Sequence, residues 1–371
     1  MQTTDYRVLL INLSTQFGGT DVRVLSQAQA LQAHVAYCAV AVLEGSELHQ
    51  RVEAAGLPHY TLEQGRSDPN LLFNLRRLMQ NETFHVVDTH NVISIFWGQM
   101  AAQLAGVPGR VATVHSDYLR ENPNLKGRAY HTVLQSSRNV VKEYIQVTQD
   151  LQQQAIARGN QHSTWIPNAV AVPPEPFMGK DTSEYEQWGF APDDTIIGIV
   201  GRLHPVKGHQ YLIEALTHLA AYPTIKLLIV GDGALEDDLK AQAQKANVLD
   251  RVHFTGFRKD IPHIMQSIDA LCIASLSEAQ PYVLLEATSH ARPVIATAVG
   301  GLKALIEDGI TGKLVPSEDS VALAEALRWL HEHPDEARTI ALQGYEMVKR
   351  DYSTETMIQS VLTVYRKAIE R

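Results

Sequence analysis

Short runs rich in Val, Ile and Leu alternate with longer helical patterns along the chain, and this alternation restricts the fold more than any other feature. The spacing predicts strands at Val8–Asn12, Val35–Leu43, His85–Thr89 and Arg110–Val114 in the first half. In the second half it predicts Thr195–Val200, Lys226–Val230, Val252–Thr255, Ala270–Ala274 and Pro293–Ala298. Helical patterns lie between them at Val22–Gln32, Tyr211–Ala220, Leu235–Ala246 and Val283–His290, and a last one runs from Thr354 to Arg371. Strands without polar alternation are buried on both faces, which calls for parallel sheets covered by helices. The expected class is therefore α/β. Three prolines in four residues (Pro173, Pro174, Pro176) break the pattern in the middle, because proline removes a donor and fixes φ. With 371 residues, 45% of them hydrophobic, two cores are affordable. The division predicted is residues 1–170, a linker at 171–179, and residues 180–353.

The net charge of −9 is unevenly spread. Residues 1–170 carry 13 basic and 13 acidic side chains, leaving 32 − 13 = 19 basic and 41 − 13 = 28 acidic for the rest. Neither part has the basic excess of a nucleic-acid binder. Two cysteines, Cys38 and Cys272, cannot form a disulfide framework, and both fall in apolar runs that suit buried thiols in a reducing compartment. The chain opens without a charged and then apolar leader pattern, and no apolar run reaches the ~18 residues of a membrane span. A cytoplasmic protein is expected, with peripheral contact to the inner face of a membrane left open.

In open parallel sheets ligands bind outside the carboxyl ends of the strands. Here those positions hold Gly18-Gly19, His115, Gly201-Arg202 with Lys207, Gly231-Asp232-Gly233, and the pair Glu278 and Glu286. On one helix the two glutamates would sit roughly 80° apart. Pro281 instead predicts a helix start between them, since proline is favoured at the first helical position. Glu278 then belongs to the loop and Glu286 to the helix, with the N–H groups of Tyr282 and Val283 in between. Carboxylates for hydroxyls around an anion-binding helix start suit a nucleotide sugar. An exposed loop acid and a surface helix residue would satisfy the same spacing. Arg202 and Lys207 suit a diphosphate or make a solvated basic turn. Gly18-Gly19 permits close backbone approach or forms a plain turn. His115 is a sugar contact or a strand-end histidine. No two aspartates are separated by one residue, and the sixteen histidines show no zinc spacing, so no metal or other cofactor is expected. Neither a GxSxG nor a GxxxxGK[ST] motif occurs.

These residues in this order, together with Val114-His115, Ile166-Pro167-Asn168, Phe254-Thr255-Gly256-Phe257 and Val299-Gly300-Gly301, resemble the family-4 (group 1) retaining glycosyltransferases. The resemblance is strongest from Thr195 to Val315. It implies a GT-B fold, two Rossmann-like parallel-sheet domains facing across a cleft, with the helix 354–371 returning to the N-terminal, acceptor-side domain. The C-terminal domain would bind the donor. Glu286 would grip the ribose, Glu278 the donor sugar, and Arg202 and Lys207 the diphosphate. Gly18, Gly19 and His115 would approach the donor sugar, and Phe257 and Arg258 would lie by the base.

The activity implied is metal-independent transfer from a nucleoside-diphosphate sugar, with UDP favoured, in bacterial glycan or polysaccharide synthesis. The acceptor hydroxyl could belong to a glycan, a lipid-linked sugar or a small molecule. A sugar-nucleotide epimerase and a non-catalytic nucleotide-sugar-binding partner subunit are the competing readings. Three departures stand out: Ala279-Gln280-Pro281 replaces the common Gly-Phe-Gly, Lys303-Ala304 replaces Pro-Glu, and Ala169 replaces a Gly. Pro281 has no N–H, which leaves phosphate contact to Tyr282 and Val283. The helical pattern Ala129–Tyr144 is the candidate for membrane contact, although its apolar face suits a core.

Overall fold

The computed structural model describes residues 2–116, 132, 134 and 137–371. Two compact units emerge: Met1–Ala169 with Thr354–Arg371, and Val170–Ser353.

The N-terminal unit is built on seven parallel strands: β1 (Arg7–Asn12), β2 (Tyr37–Leu43), β3 (His59–Leu62), β4 (Val86–His90), β5 (Gly109–Val114), β6 (Glu143–Gln146) and β7 (Ser163–Trp165). Their spatial order is β3-β2-β1-β4-β5-β6-β7. Successive residues of β1 serve opposite faces, as a strand period of two requires. Val8 and Leu10 join the core formed with helices Gly19–Leu31, Glu47–Ala54 and Thr354–Glu370. Leu9 and Ile11 join the core under helices Asn70–Glu82 and Val92–Leu104. The last helix belongs to this unit: Val361, Leu362 and Tyr365 are buried against it.

The C-terminal unit has six parallel strands: β8 (Thr195–Val200), β9 (Ile225–Val230), β10 (Val252–Gly256), β11 (Ala270–Ile273), β12 (Val294–Thr297) and β13 (Lys313–Val315). Their order is β10-β9-β8-β11-β12-β13, with one core on each face. The direction of strand addition reverses between β1 and β4 in one sheet and between β8 and β11 in the other. At such a switch the two crossovers leave in opposite directions and open a crevice.

Every strand expected from the apolar runs is present, within two residues at each end. Four were not anticipated: β3, β6, β7 and β13. Glu143 and Tyr144 lie in β6 and so are strand, not helix. Of the remaining pattern, residues 129–131, 133, 135 and 136 lie outside the described residues, and 137–142 form a turn and a bend rather than a helix. The proline-rich stretch is no loose tether. Pro173 and Pro174 accept hydrogen bonds from the Tyr345 hydroxyl (2.7 and 2.9 Å), and the Arg292 guanidinium donates to Gly179 O (2.7 Å). Cys38 and Cys272 are buried free thiols, both pushed up to about 12 mainly by burial. Among the described residues no helix is long and apolar enough to cross a membrane.

Candidate active site

β8 and β11 are adjacent and parallel, so the loops leaving their carboxyl ends meet. β8 runs into Gly201-Arg202, then a single 3-10 turn (Pro205–Lys207) and the helix His209–Thr217. β11 runs into the loop bearing Glu278, then the helix Tyr282–Ser289. Leu276 N donates to Val206 O (2.8 Å) and ties the two loops together. Lys207 Nζ reaches Glu278 Oε1 at 2.6 Å, and Ser275 Oγ donates to the same oxygen at 2.7 Å. Side-chain exposure is 26% for Lys207 and 11% for Glu278, so the pair is shielded yet reachable. Gly300 and Gly301 lie directly behind Glu278. A Cβ on Gly300 would stand 2.1 Å from Glu278 O, and one on Gly301 would stand 1.6 Å from Ala279 O. Gly301 N instead donates to Glu278 O at 2.8 Å. The Gly-Gly pair therefore holds the acidic loop by backbone contact alone. Arg202 is exposed, and among the described residues its side chain makes no hydrogen bond or ion pair, which leaves a guanidinium ready for an anion.

Pro281 caps the helix in extended conformation (φ −72°, ψ 131°), one position earlier than the first-turn placement expected from sequence. Tyr282 and Val283 open the helix and pack partly against the core. Glu286 follows one turn later. It is half-buried, with no ion pair among the described residues, and burial pushes its carboxyl up to about 7. A carboxyl so placed is an unused hydrogen-bonding group that a ligand can satisfy.

Phe257, 54% exposed, follows β10 at the next strand end. Arg258 points elsewhere. Its Nη atoms donate to both Glu184 oxygens (3.0 and 2.9 Å), and its Nε donates to Asp260 Oδ1 (2.8 Å). These ion-pair hydrogen bonds hold Arg258 well above its usual range and Asp260 down at about 2. The guanidinium is thus committed to a structural network. Glu184, Asp260 and His263 present ligating atoms within 4.8 Å of one another, but Arg258 already neutralises both carboxylates.

In the N-terminal unit Gly18 caps the helix Gly19–Leu31, and its N–H donates to Asp21 Oδ2 (2.9 Å). Asp21 is buried; its Oδ1 accepts from Asn12 Nδ2 (2.9 Å) and from the Ser14 hydroxyl. The Arg51 guanidinium stacks 3.8 Å from the Phe17 ring centroid, holding the loop before Gly18 from outside. His115, just past β5, meets a residue that the sequence reading passed over: His90, the last residue of β4, with Nδ1 3.0 Å from His115 Nε2. Behind His90 lies Asp88, fully buried and the acceptor of three side-chain hydrogen bonds. An acid between Val87 and Thr89 in a central apolar strand was the signal available for it.

Comparison with known proteins agrees with this architecture. Residues 181–347 match the family model described as glycosyl transferases group 1, and residues 17–172 match glycosyltransferase family 4. A curated relative, the UDP-Gal:alpha-D-GlcNAc-diphosphoundecaprenol alpha-1,3-galactosyltransferase of Escherichia coli, is 28% identical over 309 residues. That match covers 76% of this chain and 77% of the relative. EpsF of Bacillus subtilis is 27% identical over 318 residues, covering 81% of this chain and 77% of the relative. Among solved structures, Anabaena HepE in complex with UDP superposes with a TM-score of 0.82 at 22% identity, covering 97% of this chain and 99% of that one. The fold is that of the GT-B enzymes, with two Rossmann-like parallel sheets. The chain belongs to the family-4, group 1 glycosyltransferases.

Proposed function

We propose that this glycosyltransferase moves a sugar from a UDP-sugar to a hydroxyl of a growing or lipid-linked glycan, with retained anomeric configuration and without a metal ion. The observation that carries the reading is the meeting of Lys207 and Glu278 at the β8–β11 switch point, with an exposed Arg202 in the loop that leaves the same end of β8. Two cations there can hold a diphosphate, and both bind it more strongly as it leaves with its full charge. Glu278 is placed for donor-sugar hydroxyls and Glu286 for the ribose. The bond from the anomeric carbon to the diphosphate oxygen breaks, and the acceptor oxygen bonds to that carbon on the same face. The acceptor proton passes to the departing phosphate oxygen. Most of the acceleration then comes from charge stabilisation and positioning. The E. coli relative is named for a UDP-sugar donor and a diphosphoundecaprenol acceptor, and HepE was solved with UDP. Both support UDP, and the E. coli relative alone supports a lipid-linked acceptor and, with it, a place at the inner surface of a membrane.

The test is a thermal-shift panel of UDP, GDP and ADP with their common sugar conjugates, with and without magnesium. A ligand well above its Kd raises the unfolding midpoint. The expected result is a shift with the uracil series that magnesium leaves unchanged. No shift with any nucleotide would end the proposal, and a shift that requires magnesium would end its metal-free part.

A further inference from the structure

We propose that His90 is a positioning residue that holds His115 with its hydrogen on Nε2, so that His115 Nδ1 accepts a hydrogen bond from a hydroxyl of a bound sugar. The ligand class rests on the reading above; the tautomer does not.

The parallel register sets Asp88 beside Val111 and His90 beside Thr113, which brings the two strand ends together. Asp88 accepts from Gln27 Nε2 (2.9 Å), the Tyr365 hydroxyl (2.8 Å) and the Thr113 hydroxyl (2.8 Å). Three donors converge on the carboxyl, so it serves as an acceptor in its ionised form. Burial raises its pKa to about 6, which leaves it ionised at neutral pH and above.

His90 is completely enclosed. Burial pushes it down to about 3, so its ring is neutral and carries one hydrogen. Among the described residues His90 Nε2 makes no hydrogen bond, and it stands 3.7 Å from Asp88 Oδ2. A lone pair on that nitrogen would face a carboxylate oxygen in a low-dielectric interior, whereas an N–H there is attracted to it. The inferred hydrogen is on Nε2 and Nδ1 is bare, the carboxylate at 3.7 Å outweighing the Arg23 guanidinium that also bears on this ring.

A bare Nδ1 at 3.0 Å from His115 Nε2 needs that nitrogen to donate. Burial, with His90 and Arg23 adding to it, also holds His115 well below its usual range, so its ring has one hydrogen to give. That hydrogen is on Nε2, and His115 Nδ1 is left as an acceptor. Such a nitrogen selects a hydroxyl, which can donate, over a carbonyl or phosphate oxygen, which cannot. A chain of fixed polarity, Asp88 to His90 to His115, thus sets what the outermost ring can recognise. The same device orients metal-bound histidines through their second nitrogen.

The experiment is a long-range proton–nitrogen correlation spectrum of the full chain labelled with nitrogen-15 histidine, with the His115 signals assigned by their loss in His115→Asn. The expected pattern has a protonated Nε2 and a bare Nδ1 for His115. The opposite pattern overturns the proposal even if no variant can be studied. In His90→Phe, His115 should lose the fixed pattern and show mixed tautomers; an unchanged pattern would remove His90 from the account. Added UDP-sugar that raises the unfolding midpoint should also move the Nδ1 signal, and binding without that movement overturns the hydroxyl contact. A UDP-sugar that does not bind speaks against the proposed donor, while the tautomer is still decided by the spectrum.

Discussion

Lys207 Nζ lies 2.6 Å from Glu278 Oε1, so two charged groups assigned to different parts of one ligand neutralise each other before that ligand arrives. In the proposed donor site, opening the pair would expose a cation to the diphosphate and a carboxylate to the sugar at the same moment. Ser275 donates to the contacted oxygen and keeps the carboxylate in place when the lysine leaves.

Removal of any one charge should act on turnover. Glu278→Gln, Lys207→Ala and Arg202→Ala are each expected to lower kcat by roughly 10²–10³-fold, the scale for losing one preorganised charge contact. Because Lys207 and Glu278 touch, the double variant should lose less than the product of the two single losses. Steady-state kinetics of the four proteins checks this. Near-normal turnover in all three single variants would overturn the site.

Glu286 should couple nucleotide binding and stability to pH in opposite directions. Burial lifts its carboxyl from an ordinary value of 4.5 to about 7. In the proposed role Glu286 accepts ribose hydroxyls, which favours the ionised form, so UDP affinity should climb between pH 6 and pH 8. The ligand-free protein behaves in reverse. Between pH 4.5 and 7 its folded state holds a proton that the unfolded state has released, so stability falls as pH rises through this window. Glu286→Gln should therefore stabilise the protein at pH 8 by about 1–3 kcal/mol and change little at pH 4. Urea unfolding at the two pH values, alongside UDP titration, reads both effects.

The sequence shows its sheets clearly and its polar networks poorly, for one physical reason. Val8–Asn12 or Thr195–Val200 announce themselves because burial on both faces demands an unbroken apolar run. Glu143–Gln146 has polar residues at both ends, and Lys313–Val315 is only three residues long, so neither resembles a buried strand. Glu278 and Lys207 were legible because each follows a recognisable strand end. The commitment of Arg258 to Glu184 was not legible, since its partner is 74 positions away. Asp88, Gln27 and Tyr365 likewise meet only after the last helix has packed.

Arg258 gives a prediction of the contrary kind. Its donors are occupied by Glu184 and Asp260, so it should not choose the base. Arg258→Lys keeps the charge but loses the planar fork. The unfolding midpoint should fall, while the ratio of UDP to GDP affinity should stay within about threefold, a change below 1 kcal/mol. A larger change in that ratio would return the guanidinium to the base site.

The last helix should owe part of its attachment to the ionised state of Asp88. The Tyr365 hydroxyl donates to Asp88 Oδ2 (2.8 Å) and accepts from Gln27 Nε2 (2.8 Å), with all three side chains fully buried. Tyr365→Phe removes one of three donors from a carboxylate that water cannot reach. Such a loss costs about 1–3 kcal/mol when the acceptor is charged. Burial already raises Asp88 to about 6, so the folded wild-type protein loses stability as pH rises from about 4 to 6. Without the tyrosine donor that pKa should rise further, and the loss should deepen and extend to higher pH. The deficit of Tyr365→Phe, measured by urea unfolding, should thus be larger at pH 8 than at pH 5, where Asp88 is mostly protonated. An equal deficit at both values would show that the hydroxyl matters for packing alone.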